Sequence, residues 1–254
     1  VTLEDAGEIG DQTYAALKKF LLYGTKAKLE NCRESWALLL VSGGKAPAVL
    51  KAAFGTEVEG LQPINFISAA IGGQTALVIR TEETGALDYA IMIPSDGVVA
   101  AWERLLEAGA PHGITPFGSQ AREALRIEAG IPKAGPELNE DIVPPEANLE
   151  GKAFSLTKGC YPGQEVVARM DTYGSVRRHF VGLVLKKSSL PQRGAKLFSG
   201  EREVGWMSSA AESPRLGKNI ALGFPLRDFS KPGTELEVDA GGERLPAIVQ
   251  ALPF

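Results

Sequence analysis

The sequence predicts an α+β region followed by an all-β region, a small antiparallel barrel or sandwich. Three observations carry this. Helical and strand-like patterns alternate through the first half of the chain. A Pro-, Gly- and acid-rich stretch interrupts them at residues 131–151. From Arg178 onward, short apolar runs recur between Gly and Pro turns.

Residues 11–20 place Tyr14, Leu17, Phe20 and Leu21 at helical spacing, with Lys18 and Lys19 facing out. Residues 26–32 alternate and residues 36–41 are a continuous apolar run, so two strands are expected around a turn at Arg33-Glu34. Gly43-Gly44 leads into a short helix at 46–54, which Gly55 ends. Residues 65–70 and 75–80 flank Gly72-Gly73 as a hairpin. Residues 89–93 form another strand, and Pro94-Ser95-Asp96 is expected to cap a helix at 97–107. A further helix at 119–128 stops at Gly130 and Pro132. Residues 131–151 read as an irregular surface connection. A helical stretch follows at 165–171. The all-β region is expected to hold strands at 179–185, 195–198, 203–208, 219–224, 235–238 and 245–251.

Composition narrows the function. The chain has 254 residues, with 44% apolar and 23% charged residues, enough to build hydrophobic cores. The net charge of −4 argues against bulk electrostatic binding of nucleic acid. Cys32 and Cys160 are far apart, and neither sits in a CxxC pair. With His112 and His179 as the only histidines, neither a disulfide framework nor a zinc site of cysteines and histidines is expected. No apolar run reaches the roughly 18–20 residues of a membrane span. Two free thiols suit a reducing compartment, cytoplasmic or, in a eukaryote, mitochondrial. The sequence opens Val1-Thr2-Leu3 without methionine, which suggests processing or a missing front section.

The richest local chemistry lies in Lys158-Gly159-Cys160-Tyr161-Pro162-Gly163-Gln164-Glu165. Pro162 suits the first turn of a helix. Gly159 and Gly163 permit tight backbone on either side of Cys160. The thiol would then precede a helix N-terminus, where the dipole and Lys158 favour the thiolate. The plainer alternative is a small cysteine packed in a turn.

This octapeptide resembles the K-G-C-[aromatic]-x-G-Q-E motif of YgfZ-like proteins, a folate-binding branch of the glycine-cleavage T-protein superfamily. Val166-Val167-Ala168-Arg169 and Gly174-Ser175-Val176 continue the likeness. Arg126-Ile127-Glu128-Ala129-Gly130 resembles the superfamily's R-x-E-x-G segment, whose glutamate holds the pterin end of folate. A carboxylate suits that role because it accepts two hydrogen bonds from an aminopyrimidine edge. The plainer reading has Glu128 end its helix or pair with Arg126. Residues 80–94, with Tyr89 and Pro94, resemble the T-protein stretch R-T-G-Y-T-G-E-D-G-[FY]-E-I-x-[VI]-P, but Glu82, Glu83 and Ala86 depart from it. Gly194, Val204-Gly205-Trp206, Ser208-Ser209, Ser213-Pro214 and residues 220–223 resemble the T-protein C-terminal barrel. These are mostly structural positions.

The resemblance implies a T-protein-like α+β folate-binding region at 1–155, a cysteine loop and helix at 156–176 and a β-barrel at 177–254. It also implies that a front section is missing, with the acidic residue that T-proteins place near the reactive folate nitrogen. It further implies a tetrahydrofolate ligand bound by Glu128, Arg126, Arg80 and Tyr161. Cys160 would be the functional thiol, with Lys158, Gln164 and Glu165 around it. The function implied is assembly, repair or maintenance of iron–sulfur enzymes, including those that modify tRNA, with such enzymes or assembly proteins as partners and no direct contact with nucleic acid or membrane. Two alternatives stand beside it: a folate-dependent aminomethyltransferase of the glycine-cleavage type, and a non-catalytic folate-binding adaptor.

Weaker signals are structural by default. Arg177, Arg178 and His179, with Lys186 and Lys187, form a basic cluster of the kind that flanks strands. Trp102 shares a helix with Leu105 and Leu106 and is expected in the core. Trp206 would line a cleft or fill the barrel.

Overall fold

The computed structural model describes residues 10–21, 24, 26–173, 176–186 and 189–254. The chain divides into two compact units between Gly118 and Ser119. Gly174, Ser175 and Lys187 lie outside the described residues.

In the first unit, helix α1 (Gly10–Lys19) precedes strand β1 (Trp36–Ser42) and helix α2 (Ala46–Phe54). Strands β2 (Phe66–Ile71), β3 (Gln74–Thr81) and β4 (Asp88–Pro94) follow, then helix α3 (Val98–Gly109). The strands form one antiparallel sheet in the order β1-β4-β3-β2. Period-2 patterning sends Val41, Val78, Ile91 and Ile93 to one face, where Leu50 of α2 and Leu105 of α3 complete the core. Gly55 ends α2 in the left-handed region at φ 68°, and its N–H bonds to Lys51 O.

Three expectations in this unit are corrected. Residues 26–32 carry no strand. Their alternation offers only Ala27, Leu29 and Cys32 as apolar groups, too little to hold an added edge beside β1. Ser95 and Asp96 do not cap α3 with a side chain. A 3-10 turn, Ser95–Gly97, leads into the helix instead. Asp96 accepts from Gln74 Nε2 at 2.8 Å, and Ser95 Oγ donates to Glu34 O. Trp102 is 41% exposed, because Ala101 and Leu105 take the buried face of α3 and Trp102 lies about 100° round the helix from Ala101.

The second unit opens with helix α4 (Ser119–Glu128) and includes helix α5 (Gln164–Tyr173). Strands β5 (Val181–Leu185), β6 (Lys196–Ser199), β7 (Arg202–Ser213), β8 (Lys218–Pro225), β9 (Glu235–Asp239) and β10 (Arg244–Gln250) complete it. The sheet closes on itself in the order β10-β5-β8-β7-β6-β9, so the all-β region is a barrel and not a sandwich. Closure leaves no unpaired edge.

Alternation along the strands builds two cores. Leu183, Leu197, Val204, Met207, Ala221, Val238 and Val249 fill the barrel. The other face of β8 sends Ile220, Leu222 and Phe224 outward onto Ile127 of α4 and onto Ile142 and Ala147. Residues 131–151 are therefore not the solvated connection their composition suggested. A 3-10 turn at Pro144–Ala147 shapes them, and Glu137 and Glu146 are buried. Leu138, Ile142 and Leu149 are spaced sparsely among polar groups, which hides their burial from a periodicity argument. Among the described residues, no helix is long and apolar enough to cross a membrane.

Candidate functional site

The site is built where α4 runs along β7. Ser209 and Ser213 are four residues apart on β7 and both reach α4. At the first point, the buried Arg126 guanidinium donates to Ser209 Oγ at 2.9 Å, to Glu137 Oε2 at 3.1 Å and to Glu123. Glu137, fully buried, also accepts from Ser209 Oγ at 2.6 Å and from the Lys133 N–H at 3.0 Å. Both ions are thus compensated by several charge-assisted bonds, the condition for keeping a buried pair.

At the second point stands Glu128. Ser213 Oγ donates to its Oε1, and Arg215 Nε donates to its Oε2 at 2.6 Å. Glu128 therefore pairs with Arg215 and not with Arg126. The residues lie two apart on α4, on different sides of the helix. Glu128 and Arg215 line a cavity of about 870 Å³, together with Glu123, Lys133, Leu125 and Pro214. That volume lies within the usual range for small-molecule pockets, roughly 300–1,000 Å³.

Glu123 at this cavity titrates low. Burial alone would raise its pKa, but the Arg126 hydrogen bond and charge, with Lys133 and Arg122, outweigh it and hold the group below 4.5. A carboxyl lowered by folding stabilises the protein above its unfolded pKa, and the gain is lost as pH falls through the folded one. Glu123→Gln is expected to flatten the rise in stability between about pH 3 and 5, read from urea midpoints, with little change in that slope above pH 6. An unchanged acid limb would show that Glu123 gains nothing from Arg126.

The cysteine loop precedes α5, also in this unit. Gly163 adopts φ 84°, and its carbonyl accepts from the N–H groups of Val166 and Val167. Gln164 Oε1 takes the Tyr161 N–H at 3.1 Å, a side chain reaching back to the residue before the turn. Cys160 is exposed, as are Lys158 and Glu165. The Lys158 ammonium lies over the Tyr161 ring, 4.9 Å from its centroid.

Arg80 belongs to the first unit and serves its fold. Its guanidinium donates to the carbonyls of Thr81 and, at 2.9 Å, Asp88, and it lies over the Tyr89 ring. The adjoining loop is organised by the buried Asp88, which accepts from the N–H groups of Glu83 and Thr84 at 2.8 Å and from Thr84 Oγ1 at 2.6 Å. The departures at Glu82, Glu83 and Ala86 leave this closure intact.

Three described residues of the basic cluster, Arg178, His179 and Lys186, have identified surroundings. Arg178 stacks on Trp206, 4.6 Å from the ring centroid, and lies 4.0 Å from Glu146. Lys186 pairs with Glu235. Burial first, then the charge of Arg227, lower the His179 pKa, with Glu146 opposing, so the imidazole is neutral at pH 7.

Glu128 and Arg126 are legible in the sequence as site residues, whereas Glu123, Glu137 and Arg215 are not. Ser209 and Ser213 read there only as barrel positions. Glu137 lies in a stretch rich in acids, where nothing local marks one as buried. Arg215 is 87 residues from its partner.

These observations define a class: an α+β unit with a four-stranded antiparallel sheet, and a closed six-stranded barrel whose neighbouring helix presents a buried carboxylate to a cavity. Residues 6–156 match the GCVT N-terminal domain, and residues 178–254 match the glycine cleavage T-protein C-terminal barrel domain. The chain belongs to the glycine cleavage T-protein family. The aminomethyltransferase of Bacillus subtilis (strain 168) is 34% identical over 228 residues, covering 89% of this chain and 63% of that protein. The aminomethyltransferase of Geobacillus sp. (strain WCH70) is 36% identical over 229 residues, covering 89% and 62%. The chain thus spans a little over three-fifths of these relatives. The crystal structure of glycine cleavage system aminomethyltransferase T from Bartonella henselae superposes with a TM-score of 0.80 at 23% identity, over 96% of this chain and 66% of that one.

Proposed function

We propose that the protein binds a tetrahydrofolate and takes part in folate-dependent one-carbon transfer of the aminomethyltransferase type. The observation that carries this reading is the Glu128 carboxylate at the wall of a ligand-sized cavity, fixed by Ser213. The relatives' name, aminomethyltransferase, supports it independently. A reduced folate would supply the one-carbon acceptor. This chain's own contribution is to bind and orient it: Glu128 accepts from the aminopyrimidine edge, while Ser213 holds the carboxylate in place. Glu128→Ala in the full-length protein is expected to weaken tetrahydrofolate binding at least tenfold by titration calorimetry. Unchanged affinity would remove Glu128 from the site, and no binding by the wild type would remove the folate reading.

One observation favours a second reading. Cys160 stands exposed in a loop that resembles the YgfZ-like motif. There the thiol would act in iron–sulfur enzyme maintenance, with iron–sulfur enzymes or assembly proteins as partners. Cys160→Ala separates the two. It spares one-carbon transfer under the first reading, and abolishes rescue of an iron–sulfur enzyme defect under the second.

A further inference from the structure

We propose that Arg215 is a built-in stand-in for the ligand, occupying the Glu128 carboxylate until a planar molecule with two adjacent N–H donors displaces it. The proposal rests on the reading of Glu128 as a ligand-binding carboxylate and adds what holds that site in reserve.

Arg126 and Arg215 are held very differently. The Arg126 side chain is 8% exposed and is surrounded by Glu123, Glu137, Ser209 and the Ile131 carbonyl. Arg215 is 60% exposed and reaches Glu128 through Nε. Removing Arg126 from its place would strand buried partners. Among the described residues, removing Arg215 strands Glu128, whose side chain is 5% exposed. An exposed arginine held at one point loses little when its head returns to water. The carboxylate loses much unless something replaces it.

The replacement is specified by the geometry left behind. Ser213 Oγ accepts from the Leu216 N–H at 3.1 Å, so the hydroxyl that fixes Glu128 is anchored independently of Arg215. Both Glu128 and Arg215 line the cavity, so the vacated carboxylate faces a volume that accepts a ring system. A guanidinium and a 2-amino-pyrimidinone edge each offer a coplanar pair of N–H donors to a carboxylate. Arginine is therefore the side chain that best imitates such a ligand, and it competes with it. Binding is then an exchange of donors on one buried acceptor. The apparent affinity falls by the fraction of molecules in which Arg215 has left.

The test uses the full-length protein, its Arg215→Ala and Arg215→Gln variants, and Glu128→Gln in the Arg215→Ala background. Tetrahydropterin, tetrahydrofolate and methylguanidine are titrated by calorimetry. Tetrahydropterin is expected to bind Arg215→Ala about tenfold tighter than wild type, with Arg215→Gln between them. Methylguanidine should bind Arg215→Ala and not wild type, and Glu128→Gln should abolish both gains. Weaker pterin and folate binding by Arg215→Ala would make Arg215 a ligand contact, overturning the stand-in while the folate reading survives. Methylguanidine binding that needs Glu128, with tetrahydrofolate binding neither protein, would keep the exchange and sink the folate reading. Equal affinities of all probes for wild type and both variants would overturn the proposal. If Arg215→Ala does not fold, Arg215→Gln carries the same comparison, and its failure to tighten pterin binding overturns the proposal.

Discussion

Glu137→Ala is expected to destabilise the protein by about 3–5 kcal/mol, read from the urea midpoint at constant m-value. The glutamate is fully buried and makes three bonds, to Arg126, Ser209 and the Lys133 N–H. Truncation leaves an 8% exposed guanidinium with Glu123 as its remaining carboxylate, and leaves the Lys133 N–H without this acceptor. The desolvation of Arg126 is then no longer fully offset, which is why breaking a buried pair costs more than forming it gains. Glu137→Gln keeps one carbonyl acceptor and removes the charge, so a smaller loss of about 1–3 kcal/mol is expected. A loss below about 1 kcal/mol for Glu137→Ala would mean that Glu123 alone compensates Arg126. The effect reaches the candidate site, because Arg126 pins α4 to Ser209 only two residues before Glu128. Among folded molecules, Glu137→Ala should also weaken tetrahydrofolate binding through misplacement of Glu128.

What could be read in the sequence follows the range of the interactions. The barrel strands obey a two-residue alternation broken by Gly and Pro, so β5 to β10 are visible one at a time. Their closure is not visible, because it depends on β10 meeting β5 about 65 residues away. Helix α4 is legible to the residue, as its amphipathic spacing is local. Glu128 is legible only through a resemblance, since a glutamate at a helix end has several ordinary explanations. Its partners Ser213, at the end of β7, and Arg215, just after it, lie 85 and 87 residues further along the chain, and no local pattern points to them. Residues 26–32 and Trp102 fail for other reasons: the alternation at 26–32 carries too little apolar surface for an edge strand, and Trp102 falls outside the buried stripe that Ala101 and Leu105 set on α3. The Pro- and acid-rich segment 131–151 shows that composition describes the average residue, while Glu137 and Ile142 are individuals.

The second large effect is expected at Phe224, where alanine should cost about 3–5 kcal/mol. Phe224 lies on β8, fully buried, on the outward face shared with Ile220 and Leu222. Its ring centroid is 5.3 Å from that of Phe180 and 5.5 Å from that of Trp206. Arg178 stacks on Trp206 in turn. Alanine removes the middle ring of this row and opens a cavity that β8, held in register on both sides by β5 and β7, cannot close by moving. Lost ring–ring contact adds to the transfer and cavity costs. Phe224→Leu retains most of the volume and is expected to cost less than about 2 kcal/mol. Tryptophan fluorescence of the folded Phe224→Ala protein should shift to the red as Trp206 loses its neighbour. A cost near 1 kcal/mol for Phe224→Ala would mean that the outer face of the barrel is loosely packed. Phe224 does not line the Glu128 cavity, so tetrahydrofolate affinity per folded molecule should stay at the wild-type value. Glu137→Ala and Phe224→Ala thereby separate two roles of the barrel: one face holds the fold together, and the β7 edge of α4 presents the carboxylate.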